Sequence, residues 1–379
     1  MKRRTDIIVI GGGIAGVSAA AELAANAHVT LFEMEERPGY HATGRSAAYF
    51  AAAYGKRVVR EFTACCESFF RNPPDGFTDV ALMRPRDCMF FGRADQADRL
   101  LAMRQDNPAL LPLDAGAVRR RVPIFADGYL DGGLWERRGG DLDVDAILQA
   151  YVRLFRRHGG ILLTTREVTS IWREKGEWCL SAGGETFAAP VLVNAAGAWA
   201  DRVAALAGLS GLGIRPFRRT ALTVEAPAGL DIRDWPNMID ADEAFYFKPE
   251  AGHILISPAD ETPSEPCDAQ PEDLDVAIGV DRFEKATGLE IKRVISRWAG
   301  LRTFAPDRVF TAGFDPHSEG FFWLAGQGGY GIQSAPAMAQ FTRWVVQGIE
   351  PDAGFAEVRK HVAAVAPDRF IQLTQGRTQ

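Results

Sequence analysis

Asp6–Ile10 (DIIVI) is a short β-branched apolar run bounded by glycine, the pattern of a parallel strand buried on both faces. Ile14 to Asn26 is alanine-rich and helical, and His28–Glu33 (HVTLFE) is a second strand, so a βαβ unit opens the chain. Lys56–Arg71 reads as a helix, Cys88–Gly92 as a strand, and Ala94–Arg104 and Asp114–Arg121 as polar helices. Asp143 to His158 is amphipathic, with Asp143 as its cap and Gly159-Gly160 as its stop. Short strands follow at Ile161–Thr164, Val168–Arg173, Trp178–Ala182 and Val191–Asn194. Thr220–Val224, Ala244–Lys248 and His253–Ser257 alternate in the manner of half-buried strands. A proline-bearing loop, Pro258–Pro271, leads to a helix over Glu272–Thr287. Strands near Val309–Ala312 and Phe321–Ala325 precede a last helix from Gly329 to Gln347.

Composition narrows the class. The 379 residues are 47% hydrophobic and 24% charged, enough for a substantial core. A net charge of −6 gives no basic balance that would suggest nucleic acid as a partner. Five cysteines form no C-x-x-C pair, which fits a reducing compartment without disulfides. The histidines show no metal-ligand spacing, so no metal is expected. The glycine-broken apolar start is too short for a secretory h-region, and no run approaches the ~20 apolar residues of a membrane span. A cytoplasmic protein without a transmembrane segment is expected.

Glycine is over-represented, at 38 residues, and its positions carry the chemistry. Gly11-Gly12-Gly13-Ile14-Ala15-Gly16 satisfies G-x-G-x-x-G between a strand and a helix, and Glu33 ends the next strand. Gly11 would allow the tight turn, Gly13 the approach of a pyrophosphate and Gly16 close helix–strand packing. Glu33 would accept hydrogen bonds from an adenosine ribose, and the helix start favours phosphate charge. A nicotinamide dehydrogenase would continue with regular strand–helix alternation. This chain breaks instead into Pro38–Ala48 (PGYHATGRSAA), small residues against which a flat flavin ring could lie. Val191–Gly197 enters a second glycine turn before Trp199, and Gly326–Gln333 (GQGGYGIQ) precedes the final helix, whose first donors could stabilise charge on a reduced flavin.

Seven ordered segments, IGGGIAG, PGYHATGRSAA, GDLDVDAI, LVNAAGAWAD, AFYFKP, WAGLRTF and EGFFWLAGQGGYGIQ, resemble the glycine oxidase / D-amino-acid oxidase family of FAD enzymes, most closely its D-arginine dehydrogenase branch. The resemblance implies an α/β fold: a Rossmann-like FAD-binding domain, and an α+β substrate domain whose mainly antiparallel sheet is flanked by helices. The expected division is 1–50, 141–214 and 300–379 for the first, and 51–140 and 215–299 for the second. It also implies non-covalent FAD held by Gly11, Gly13, Ile14, Ala15, Gly16, Glu33, Met34, Thr43, Gly44, Arg45, Ser46, Ala47, Ala48, Val168, Ala196, Gly197, Trp199, Gly300, Gly329, Tyr330, Gly331, Ile332 and Gln333. His41 beside the flavin loop is read as a loop histidine rather than a covalent tether.

An amino-acid carboxylate needs fixed cations, and arginine's planar fork binds one bidentately. Arg302, in a Gly300-Leu301-Arg302 turn, is the first candidate and Arg219 the second; Tyr246 and Tyr54 match tyrosines that line the substrate and cap the flavin. Tyr49, Cys88 and Gly329 complete the expected substrate pocket. The dehydrogenase branch has a histidine where this chain has Tyr49, and an acidic residue where it has Cys88. A cationic substrate side chain would lose its counter-charge there. The expected activity is oxidation of neutral, apolar D-amino acids to 2-oxo acids, by hydride transfer from Cα to flavin N5. The electron acceptor (oxygen, a quinone or an electron-transfer protein) stays open. A glycine- or sarcosine-type amine oxidase and a 2-hydroxyglutarate-like dehydrogenase are the alternatives within the superfamily; a non-catalytic or tRNA-modifying flavoprotein is the alternative outside it.

Overall fold

The computed structural model describes residues 2–370. The first apolar run forms the strand Ile7–Ile10 at the centre of a six-stranded sheet. The order is Ile161–Leu163, Val29–Phe32, Ile7–Ile10, Val191–Asn194, Phe321–Ala325 and Thr311–Phe314. The first five are parallel, and Thr311–Phe314 joins antiparallel. Ile7 and Val9 face a core shared with the helices Ile14–Leu23, Val144–Arg157 and Gly331–Gln347, whereas Ile8 and Ile10 face Trp178, Leu180 and Phe187 of a separate four-stranded sheet. Both faces are covered, which is why the strand is apolar at every position. Alanines 19–21 are fully buried, and their small side chains let the first helix sit close to its neighbours. Asp143 caps Val144–Arg157 by accepting from the Ala146 amide at 2.9 Å.

A second, largely antiparallel sheet assembles from distant segments. Its order is Thr262–Pro263, Arg215–Glu225, His253–Ser257, Tyr246–Glu250, Asn237–Asp240, Cys88–Gly92, Gly132–Glu136 and Leu111–Asp114, and Val294–Phe304 also pairs with Arg215–Glu225. Register divides its two faces. Met89, Phe91, Leu222, Met238, Phe247, Ile254 and Ile256 form a core with Val276, Phe283 and Ala286 of the helix Asp273–Thr287. Residues of the opposite parity, among them Arg302, Arg219, Ala221, Tyr246, Ile239 and Asn237, project from the other face.

The longest departure from the sequence pattern is Val294–Phe304. Gly300-Leu301-Arg302, expected in a turn, lies inside this strand, with Arg302 paired to Phe217 and Gly300 to Arg219. The strand runs across position 300. Gly132–Glu136, Glu185–Ala189 and Asn237–Asp240 are strands that the pattern did not suggest, and the final helix begins at Gly331 rather than Gly329.

Candidate active site

A cavity of about 690 Å³ runs from the carboxyl edge of the parallel sheet to the cavity-facing side of the antiparallel sheet. Its first end is built by the opening glycines. Gly11 has φ +110°, and a Cβ there would stand 2.4 Å from the Ala195 carbonyl oxygen. Gly13 precedes the helix Ile14–Leu23 without a side-chain cap, so the first helical turn keeps donors free for an anion; the Ile14 amide alone is taken, by Thr43 Oγ1 at 3.0 Å. The Glu33 carboxylate is buried and accepts from the Gly12 amide (2.7 Å) and the Glu35 amide (2.9 Å), one per oxygen. Burial pushes its pKa up, against those two amides. Each oxygen keeps a lone pair for a ribose hydroxyl. His41 holds Glu35 at 2.8 Å through Nε2, and its ring packs on Trp199 with centroids 4.6 Å apart. Arg45 bonds the Ala269 carbonyl at 2.7 Å and pairs with Asp268, which ties the small-residue loop to the far side of the cavity.

The second end is cationic and phenolic. Arg302 is on Val294–Phe304 and Arg219 on the neighbouring strand, both facing the cavity. A Cβ on Gly329 would stand 2.9 Å from Arg302 Cζ, so the guanidinium lies directly beneath that glycine. Burial opposes the charge on Arg302, but the phenols of Tyr54, Tyr246 and Tyr330 hold its pKa above the ordinary arginine value. Burial lowers the pKa of Arg219, and the neighbouring Arg302 lowers it further. Arg219 bonds Glu261 at 3.1 Å, and its Nε is buried without a partner. Burial lifts the Tyr54 phenol above the tyrosine range; its hydroxyl donates to Glu243 at 3.2 Å and its ring leans on Tyr330 at 5.3 Å.

Tyr49 also lines the cavity, its hydroxyl donating to the Arg86 carbonyl at 2.6 Å. All the expected cofactor positions border this cavity except Gly16, Gly44 and Tyr330. Gly16 packs under the turn, where a Cβ would stand 1.9 Å from the Gly11 oxygen. Gly44 closes the Gly39–Gly44 turn through a 2.7 Å amide bond. Tyr330 is buried against Tyr54, Phe304 and Phe310. Cys88 requires a correction: it is fully buried in a cluster with Phe90, Leu100, Leu110 and Leu134, against which Tyr49 and Ala53 pack, and it does not line the pocket. The sequence reading missed Asn237, Ile239, Glu243, Thr303 and Gln327, which do. Asn237–Asp240 (NMID) reads polar-apolar-apolar-polar and so carries no period-2 signal, and Glu243 sits in a turn at φ +56°.

The residues present fit FAD. Two uncapped helix starts, at Ile14 and Gly331, border one cavity with the Glu33 carboxylate at one end, and the walls between are the small residues Ser46, Ala47, Ala48, Ala196 and Gly197. Among the described residues no group of three or more His, Cys, Asp or Glu could hold a metal ion, and no helix is long and apolar enough to cross a membrane.

Comparison with known proteins places this geometry in a family. The DAO family, described as FAD dependent oxidoreductase, matches residues 6–343. The chain is 26% identical over 365 residues to glycine oxidase of Geobacillus kaustophilus (strain HTA426), covering 89% of this chain and 91% of that one. It is 28% identical over 227 residues to L-2-hydroxyglutarate dehydrogenase of Escherichia coli (strain K12), covering 56% and 52%. The crystal structure of glycine oxidase from Geobacillus kaustophilus superposes with a TM-score of 0.81 at 22% identity, covering 94% of this chain and 98% of that one. The FAD-bound, dithionite-reduced L-alpha-glycerophosphate oxidase from Mycoplasma pneumoniae superposes at 0.80 and 16%, covering 91% and 95%.

Proposed function

The chain belongs to the DAO family of FAD-dependent oxidoreductases, and from that premise we propose that it oxidises the Cα–N bond of neutral D-amino acids. One observation carries this reading: Arg302 and Arg219 face one cavity from adjacent strands, beside Tyr54 and Tyr246. A half-buried guanidinium with no carboxylate partner among the described residues suits a substrate carboxylate, and Arg302 has that character. The bound FAD supplies the two-electron acceptor. Arg302 fixes the carboxylate, Arg219 adds charge from one side, and Tyr246 and Tyr54 bound the space in which Cα must lie. Tyr54 keeps its proton because burial raises its pKa, so it orients by hydrogen bonding rather than acting as a base. The imino acid formed is hydrolysed by water to a 2-oxo acid and ammonia.

The side-chain preference follows from the rest of the lining. Tyr49, Ile239 and Ala221 are uncharged, and Glu243 at the rim already accepts from Tyr54. The proposed division of the chain is the one expected from the sequence, with residues 1–50, 141–214 and 300–379 forming the FAD domain and 51–140 and 215–299 the substrate domain, and the strand Val294–Phe304 runs from the second into the first and carries Arg302 to the substrate.

A second reading has its own support. Two guanidiniums on one face could hold two carboxylates, as in a 2-hydroxy dicarboxylate, although Glu261 already takes part of the charge of Arg219. Anaerobic bleaching of the flavin decides between them. D-leucine, D-methionine and D-phenylalanine should bleach it faster than D-arginine, their L-isomers or 2-hydroxyglutarate. Faster bleaching by 2-hydroxyglutarate would establish the second reading, and faster bleaching by D-arginine would overturn the neutral preference. Repeating the assay with oxygen identifies the acceptor class.

A further inference from the structure

Glu136 ends the strand Gly132–Glu136, paired with Cys88 and buried to 7% exposure. Its Oε1 accepts from the Ala53 amide at 2.8 Å, while Oε2 is buried without a partner. The glutamate does not line the cavity, but the turn it holds does. Ala51 and Tyr54 of that turn both border the cavity. The Ala51 amide is held separately by Gln333 Oε1 at 3.0 Å, and the turn closes through Tyr54 N to Ala51 O at 3.2 Å. Two side-chain oxygens from distant segments therefore set the backbone that delivers Tyr54 to Arg302 and Glu243.

We propose that Glu136 is a positioning residue that holds Tyr54 over the substrate through the backbone amide of Ala53. A neutral carboxylic acid suits the place, because its carbonyl oxygen accepts from the amide without stranding a charge away from water. Burial pushes its pKa up to about 7, opposed by the Ala53 amide and Arg138 and supported by Glu67. The other titratable groups packed against it are Cys88 on the partner strand and Tyr49 above, and both stay protonated because burial raises them well above their usual values. Ionisation of Glu136 leaves a buried anion with an unpartnered oxygen, which favours an opened turn and a misplaced Tyr54.

The role in substrate binding rests on the proposed function, whereas the tether itself does not. Hydrogen–deuterium exchange of the 50–56 segment, corrected for intrinsic rates, reads the tether in the FAD-loaded protein whatever its substrate. Glu136→Ala should speed exchange at Ala53 about tenfold, the loss expected for one buried hydrogen bond. It should raise KM by a similar factor with little change in kcat. Glu136→Gln keeps the acceptor and should preserve slow exchange. Wild-type KM should rise as pH passes 7, and the Gln variant should be flat over that range. Unchanged exchange in the Ala variant overturns the tether, as does a Gln variant that follows the wild-type pH profile. If the Ala variant does not fold, the Gln comparison decides alone. A wrong substrate reading shows itself differently, as no flavin reduction in any variant while the exchange differences persist.

Discussion

Arg219 and Arg302 face the same side of the antiparallel sheet from adjacent strands, Arg302 opposite Phe217 and Arg219 opposite Gly300. They differ in what surrounds them. Arg219 shares Glu261 with Arg308, whereas Arg302 is ringed by phenols. The two should contribute unequally to carboxylate binding. Arg302→Met is expected to raise KM by about 100-fold or more, the loss of a bidentate charge-assisted pair, and Arg219→Met by about tenfold. Steady-state kinetics with flavin content as a control checks both; equal effects would mean that Glu261 does not compete with substrate.

Gly329 makes room for the Arg302 guanidinium, and its φ is not in the left-handed region, so alanine is tolerated by the backbone. A methyl group 2.9 Å from Cζ must displace that guanidinium by a few tenths of an ångström. Gly329→Ala is therefore expected to lower kcat/KM by about tenfold while leaving thermal stability within about 1 kcal/mol. Differential scanning fluorimetry beside kinetics separates the two effects.

Restoring an acid at position 88 is the obvious way to seek D-arginine activity. The position is fully buried in an apolar cluster and does not line the cavity, so Cys88→Asp should bury an unpaired carboxylate and cost about 3 kcal/mol or more, without a gain in D-arginine turnover. Denaturant titration and a D-arginine assay check this. Increased turnover would place the side chain in the pocket after all.

Glu136 also links stability to pH. In the unfolded chain it loses its proton near 4.5, and in the folded chain near 7. The folded state thus holds the proton that the unfolded state has lost, and the linked stability falls as pH rises from 4.5 through about 7. Comparing wild type with Glu136→Gln should show a loss of about 2–3 kcal/mol across that window in the wild type alone. Unfolding free energies at pH 5 and pH 8 measure it.

The parts legible in the sequence are those where one local pattern does one job. Ile7–Ile10 is buried on both faces, and the Gly11–Gly16 turn writes its close approaches as glycine whatever segment supplies the opposing atoms, so strand, turn and helix announce themselves. Val294–Phe304 fails the same test because it does two jobs. Ala299 and Leu301 pack with Ala198 and Ala269 while Gly300 and Arg302 face the cavity, so glycine and charge interrupt the apolar alternation and imitate a turn. Cys88 shows a further limit. Its strand was legible, but its burial in a cluster with Leu100, Leu110 and Tyr49 depends on residues as far as 39 positions away in the chain, which a strand pattern cannot report. The buried acid Glu136 was hidden likewise, since Gly132–Glu136 opens with two glycines and has no strand signature.

The order of the parallel sheet has a consequence for biosynthesis. Ile7–Ile10 is translated before both strands that follow it on one side of the sheet, Val191–Asn194 and, later still, Phe321–Ala325. The carbonyl of Ala195 that backs Gly11 arrives only with the first of these. The glycine turn must therefore wait, half-walled, until the chain has been translated past Ala195. Capture of the nucleotide in that sense follows the synthesis of Val191–Asn194, although its signature is written in Gly11–Gly16.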